Sequence, residues 1–112
     1  MRIPGAERAV VDKAKIRDYL LSPEHPVGGA KARFFKSVGF SRNDWEAVQQ
    51  ALADFAVCEA QPGKRTGFGH KYIVEGTIEG PAGRVASIVV VWIVLAGEDF
   101  PRFVTAYPGV NR

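Results

Sequence analysis

A chain of 112 residues with 15 Lys/Arg, 12 Asp/Glu and one cysteine has room for one core, which would bury roughly 65% of the unfolded surface, and cannot close an internal disulfide. The opening MRIPGAERAVVD lacks an apolar signal segment, and the longest apolar run, residues 85–96, is too short to span a bilayer. These totals predict a single domain over 1–112, in the cytoplasm or, if it belongs to a longer chain, as a delivered module, with no membrane contact.

The net charge of +3 is unevenly spread. Residues 1–42 carry nine Lys/Arg against four Asp/Glu, whereas residues 43–112 carry six against eight. The basic excess lies in the N-terminal part, as an anion-facing surface or a solvated helical one would have it.

In chain order, residues 12–21 predict a helix, with Asp12 as cap and Ile16, Tyr19 and Leu20 at helical spacing. Ser22-Pro23 stops it, and PEHPVGG reads as a loop. A second helix is expected over about 29–38, with Lys31, Phe34, Phe35 and Val38 on one face and Gly39 closing it. Ser41 and Asp44 resemble a capping box for a third helix over about 42–56, whose stripe is Trp45, Val48, Leu52 and Phe55. Cys58, near its end, reads as a half-buried small hydrophobe.

Residues 61–69, QPGKRTGFG, read as a basic, glycine-rich loop. Beyond it the period becomes two, giving strands over about 70–78, 85–95 and 102–107. Residues 85–95 are apolar on both faces, as in a central strand. The fold class is α+β: N-terminal helices (about 8–56) packed on a three- to four-stranded antiparallel β-meander (about 70–107). The helices are expected to cover one face and leave the other partly open.

Candidate chemistry centres on HPVGGAKARFF, residues 25–35. Lys31 heads an apolar stripe at a helix N-terminus. Unpaired N–H groups, two glycines and an ammonium there suit a phosphate; the alternative is a snorkelling lysine paired with Glu24 or Asp44. His25 and His70 are candidate proton carriers. Thr105 and Tyr107 are read as sharing a face with Phe103, opposite Arg102, Val104 and Ala106. Their hydroxyls would position a phosphate or ribose. Arg33, Lys64, Arg65 and Arg102 are candidate substrate contacts. The sequence has no phosphate-binding glycine loop of the NTPase kind, no GxSxG and no zinc-type Cys/His spacing, so no metal and no cofactor are expected. RNA cleavage through the 2′-hydroxyl fits this residue set, because it needs a base, an acid and a cation near phosphorus.

The segments IPGAERAVVD, DYLLSPEHPVGGAKARFF, VGF, VVWIV and GEDFPRFVTAY resemble a group of short bacterial proteins known as a domain of unknown function. The resemblance covers nearly the whole chain, and HPVGGAKARFF and DFPRFVTAY are its most specific parts. Members are often encoded beside another small protein, which implies a toxin–antitoxin arrangement. A weaker resemblance is to the barnase–EndoU–colicin–RelE nuclease superfamily, metal-independent ribonucleases with N-terminal helices on an antiparallel sheet. It implies that Lys31, His25, Thr105 and Tyr107 fill catalytic places. The chain departs from the pattern at Ala30, where some relatives carry histidine. Two readings follow: a toxin-type metal-independent ribonuclease acting on RNA, or a non-enzymatic binding module that pairs with a small cognate or immunity protein. The sequence leaves the oligomeric state open.

Overall fold

The computed structural model describes residues 1–22 and 29–109. Its order is a 3-10 turn (Ala6–Arg8), α1 (Lys13–Lys15) running into a π-helical turn (Ile16–Leu20), α2 (Gly29–Val38), a 3-10 turn (Arg42–Asp44), α3 (Trp45–Phe55) and strands β1 (Gln61–Thr66), β2 (Gly69–Glu79), β3 (Val85–Leu95) and β4 (Arg102–Pro108). Helices precede the sheet, as the composition blocks predict. The sheet is antiparallel throughout and follows chain order, β1-β2-β3-β4.

The local chemistry explains the boundaries. The Asp12 carboxylate accepts from the Ala14 N–H at 2.9 Å, capping α1. Instead of continuing as an α-helix, the chain widens by one residue per turn, and the Leu21 N–H donates to the Ile16 carbonyl at 2.9 Å. This buries Ile16 and Leu20 and leaves Tyr19 half-buried. Gly39 ends α2 at φ 108°. There the Phe40 N–H reaches the Phe35 carbonyl and the Gly39 N–H reaches that of Lys36, each at 2.9 Å. The two phenyl rings on either side of the turn lie 6.4 Å apart. This is a Schellman closure, with its usual apolar contact across the cap. Ser41 and Asp44 form the expected capping box, and Val48 and Leu52 are fully buried.

Two expectations need correction. Residues 61–66 are a strand, not a loop: Gln61 pairs with Ile73, Pro62 with Tyr72, Arg65 with His70 and Thr66 with Gly69. Pro62 and Gly63 sit where that ladder is irregular and at the sheet edge, the places where a strand tolerates a missing donor. Cys58 is exposed rather than half-buried, because the chain leaves α3 before reaching it.

The helices pack on the face of Tyr72, Val74, Ile78, Ile88, Val90, Trp92, Phe103 and Ala106, joined in the core by Ile16, Leu20, Phe35, Val38, Val48 and Leu52. The rings of Trp92 and Phe103 meet edge-on at 5.8 Å. The opposite face carries Lys71, Ile73 and Glu75 on β2 and their partners Ile93, Val91 and Val89 on β3. Among the described residues, no helix is long and apolar enough to cross a membrane.

β4 contains the irregularity that matters most for the site. Thr105 pairs with Val91 and Phe103 with Trp92, so Val104 is an extra residue, a β-bulge. The simple alternation expected from the sequence therefore breaks. Phe103 and Ala106 both reach the core, whereas Thr105, Tyr107 and Arg102 share the parity of Val91, Val89 and Ile93.

Candidate functional site

Three elements converge at the β4 edge. The segment before α1 runs beside the start of β4: the Val10 N–H donates to the Pro101 carbonyl at 3.0 Å, and the Phe103 N–H donates to that of Val10 at 2.9 Å. Further along, the bulge frees the Val104 carbonyl from the ladder, and it accepts from Lys15 Nζ at 3.3 Å. α1 and the π-turn are thereby held against the edge, and Tyr19 is aimed at Thr105. π-turns inside helices are frequent where a side chain must be re-aimed for function.

Lys31 approaches the same phenol from α2. Its Nζ donates to Tyr19 Oη at 2.6 Å and lies 5.0 Å from the centre of the ring. The expected carboxylate partner is not used: Asp44 is engaged by Ser41, and among the described residues Lys31 makes no ion pair. The Thr105 hydroxyl is buried without a well-aligned hydrogen bond, yet it faces the phenol. The Lys31 hydrogen bond, then the Thr105 contact, and after them the charges of Lys31 and Lys15, hold the Tyr19 pKa below the ordinary phenol value, against the opposing effect of burial. Tyr19 and Thr105 line an open groove of about 620 Å³ with Ala14, Lys15, Asp18 and Val104. This is a small polar centre in which an ammonium donates to a phenol and lowers its pKa.

The other candidates fall elsewhere. His25 and Glu24 lie outside the described residues. His70 is on β2, stacked on Tyr72 at 4.4 Å between ring centres. Its partner Val94 is three residues along β3 from Val91, the partner of Thr105, which puts the two backbones roughly 14 Å apart by strand spacing and rise. Tyr107 is exposed beside Val89. Arg102 is bound by its own chain: Nε and Nη2 each donate to the Glu98 carboxylate at 2.8 Å, and the guanidinium lies over the Phe100 ring. That pairing holds the Glu98 carboxyl below its usual range. Lys64 and Arg65 are on β1, at the sheet edge opposite β4. Arg33 lines a separate recess of about 300 Å³ with Leu21, Ala32, Lys36, Phe40, Ser41 and Arg42. That recess is cationic at its rim, whereas the β4 groove joins a cation to a polarised hydroxyl. Among the described residues, no three His, Cys, Asp or Glu side chains gather closely enough to hold a metal ion.

Tyr19 is the functional candidate that sequence reasoning passed over. Its i, i+3 spacing from Ile16 reads as part of an apolar stripe, and nothing in the sequence marks a π-turn.

This is an α+β fold with helices on one face of a four-stranded meander and a Lys–Tyr–Thr cluster at one edge. A chain of a solved structure described as a contact-dependent growth inhibition toxin–immunity protein complex from Klebsiella pneumoniae 342 shares the fold, with a TM-score of 0.72 over 95% of this chain and 97% of that one, at 17% identity. The protein itself belongs to the family described as domain of unknown function DUF6883, which matches residues 2–110. No curated protein matches the sequence.

Proposed function

We propose that this protein is a toxin-type, metal-independent ribonuclease whose reaction is carried by Tyr19 and Lys31, with Thr105 and Lys15 beside them. The observation that carries the reading is the 2.6 Å hydrogen bond from Lys31 Nζ to Tyr19 Oη at the groove. Tyr19 in its phenolate form takes the proton of a ribose 2′-hydroxyl, and the oxygen attacks the adjacent phosphorus. Lys31 offsets the charge that builds on the phosphorane and gives a proton to the departing 5′-oxygen. Transfer of the Tyr19 proton to Lys31 along their hydrogen bond restores the starting state. The products are a 2′,3′-cyclic phosphate and a 5′-hydroxyl. The fold likeness to a chain of a toxin–immunity complex supports this reading, as does the resemblance to metal-independent ribonucleases.

Expression in bacteria should arrest growth, and purified protein should cleave RNA in the presence of a chelator. Lys31→Ala and Tyr19→Phe should each lower cleavage by roughly 100-fold or more and relieve toxicity while leaving the fold intact. Cleavage by the Lys31→Ala and Tyr19→Phe variants at the wild-type rate would overturn the assignment.

One observation favours the second reading, a non-enzymatic module paired with a small cognate protein: the structural neighbour comes from a two-protein complex. On that reading the chain is harmless when expressed alone and co-purifies with its partner, and Tyr19→Phe changes neither property.

A further inference from the structure

The β1–β2 hairpin carries the most exposed large apolar side chain among the described residues, Phe68, at 81%. This exposure is built rather than frayed. The Phe68 N–H donates to Thr66 Oγ1 at 3.2 Å, and its carbonyl accepts from the Ala96 N–H at 2.8 Å, while Thr66 and Gly69 pair on either side of the turn. The backbone is pinned and the ring stands in water. Next to it, a Cβ built on Gly67 would meet nothing within 4 Å, so the approach is open.

Along this part of the hairpin the charge is one-sided, and the nearby acids of the β3–β4 turn are already engaged, Glu98 by Arg102 and Asp99 by Arg8. Residues 61–72 contain Lys64, Arg65 and Lys71 and no Asp or Glu. None of these three cations forms an ion pair or a side-chain hydrogen bond among the described residues, unlike Arg8, Arg42 and Arg102, which are each tied to a carboxylate. A single exposed aromatic ring on a hairpin whose charged side chains over residues 61–72 are all cations, with no other large exposed apolar side chain on that hairpin, is a poor core for a protein interface, where charge is depleted. It is a good platform for a base flanked by phosphates.

We infer that the β1–β2 hairpin is a second contact for single-stranded nucleic acid, with a base stacked on Phe68 and the neighbouring phosphates at Lys64 and Arg65. The inference rests on the ribonuclease reading for its choice of ligand and adds a contact remote from the chemistry. β1 and β4 are opposite edges of the sheet, roughly 14 Å apart by strand spacing, so the strand would be held across several nucleotides.

The test is binding of a short single-stranded 2′-O-methyl oligonucleotide to the full chain, followed by fluorescence anisotropy across a salt series. The methyl group removes the nucleophile, so binding is read without cleavage. Phe68→Ala should weaken binding at least about fivefold without altering the salt slope, and Phe68→Trp should restore it. Lys64→Ala and Arg65→Ala should each lower the slope of log affinity against log salt by about 0.7. Binding to a duplex should be insensitive to Phe68→Ala. The platform is overturned if the wild type does not bind, if Phe68→Ala binds as well as the wild type, or if that variant loses only a co-purifying protein. A wild type that binds through Phe68 but leaves RNA uncut sinks the catalytic reading and keeps the platform. One that cleaves RNA yet ignores Phe68→Ala does the reverse.

Discussion

The two edges of the sheet treat charge in opposite ways. At the β4 edge four cations are held by partners: Lys31 by Tyr19, Lys15 by the Val104 carbonyl, Arg102 by Glu98, and Arg8 by Asp99 at 3.0 Å. At the β1 edge Lys64 and Arg65 stand in solvent beside an exposed ring. Held cations polarise specific groups and cannot range over a ligand. Solvated ones attract a polyanion but activate nothing. The first edge is suited to chemistry and the second to capture.

The sharpest way to break this contrast is to remove a phenyl ring from each edge. Phe103 is buried against Trp92, and Phe103→Ala should cost about 3–5 kcal/mol in denaturant unfolding. Phe68→Ala should stay within about 0.5 kcal/mol. Comparable losses would mean that the hairpin is part of the core.

Glycines give a smaller contrast. Gly5 adopts φ 68°, and a Cβ there would come within 2.0 Å of the Asp99 carbonyl oxygen, where the N-terminal segment meets the β3–β4 turn. Gly5→Ala should therefore cost about 1–3 kcal/mol, and Gly67→Ala, with open space around it, should change the melting temperature little.

The smallest effect is a titration. The Tyr19 pKa is depressed in the folded state. Its contribution to stability is therefore fully present above the unfolded phenol value of about 10 and is lost as pH falls through the folded value. The melting-temperature advantage of wild type over Tyr19→Phe should grow with rising pH across that window. In spectrophotometric titration, Lys31→Met should move the most acidic tyrosine back toward about 10. A tyrosine titration unchanged by Lys31→Met would show that the ammonium does not act on the phenol in solution.

Periodicity is enough to read α2, α3 and strands β2, β3 and β4 from sequence, because their buried positions, such as Phe35, Val48, Leu52, Val90 and Trp92, repeat at helical or strand spacing. β1 was not legible. An edge strand with all but one residue exposed has no apolar alternation, and Pro62, Gly63 and Gly67 imitate a loop. At the site, Lys31 and Thr105 could be nominated from residue type and position. Their meeting through Tyr19 could not, because it depends on a π-turn and a bulge, two one-residue departures from regular geometry that leave no compositional trace. His70 and Arg102 show the converse: chemically apt residues whose place in the sheet assigns them elsewhere.

The extra residue at Val104 has a consequence for how such an edge can be altered. Excising it would leave Phe103 opposite Trp92, Thr105 opposite Val91 and Ala106 opposite Val90, so the sheet would keep its register. What would vanish is the one carbonyl that anchors Lys15. The bulge thus behaves like a removable fitting, a small insertion through which the edge can gain or lose a surface anchor for Lys15 while the pairing of the strands stays as it was.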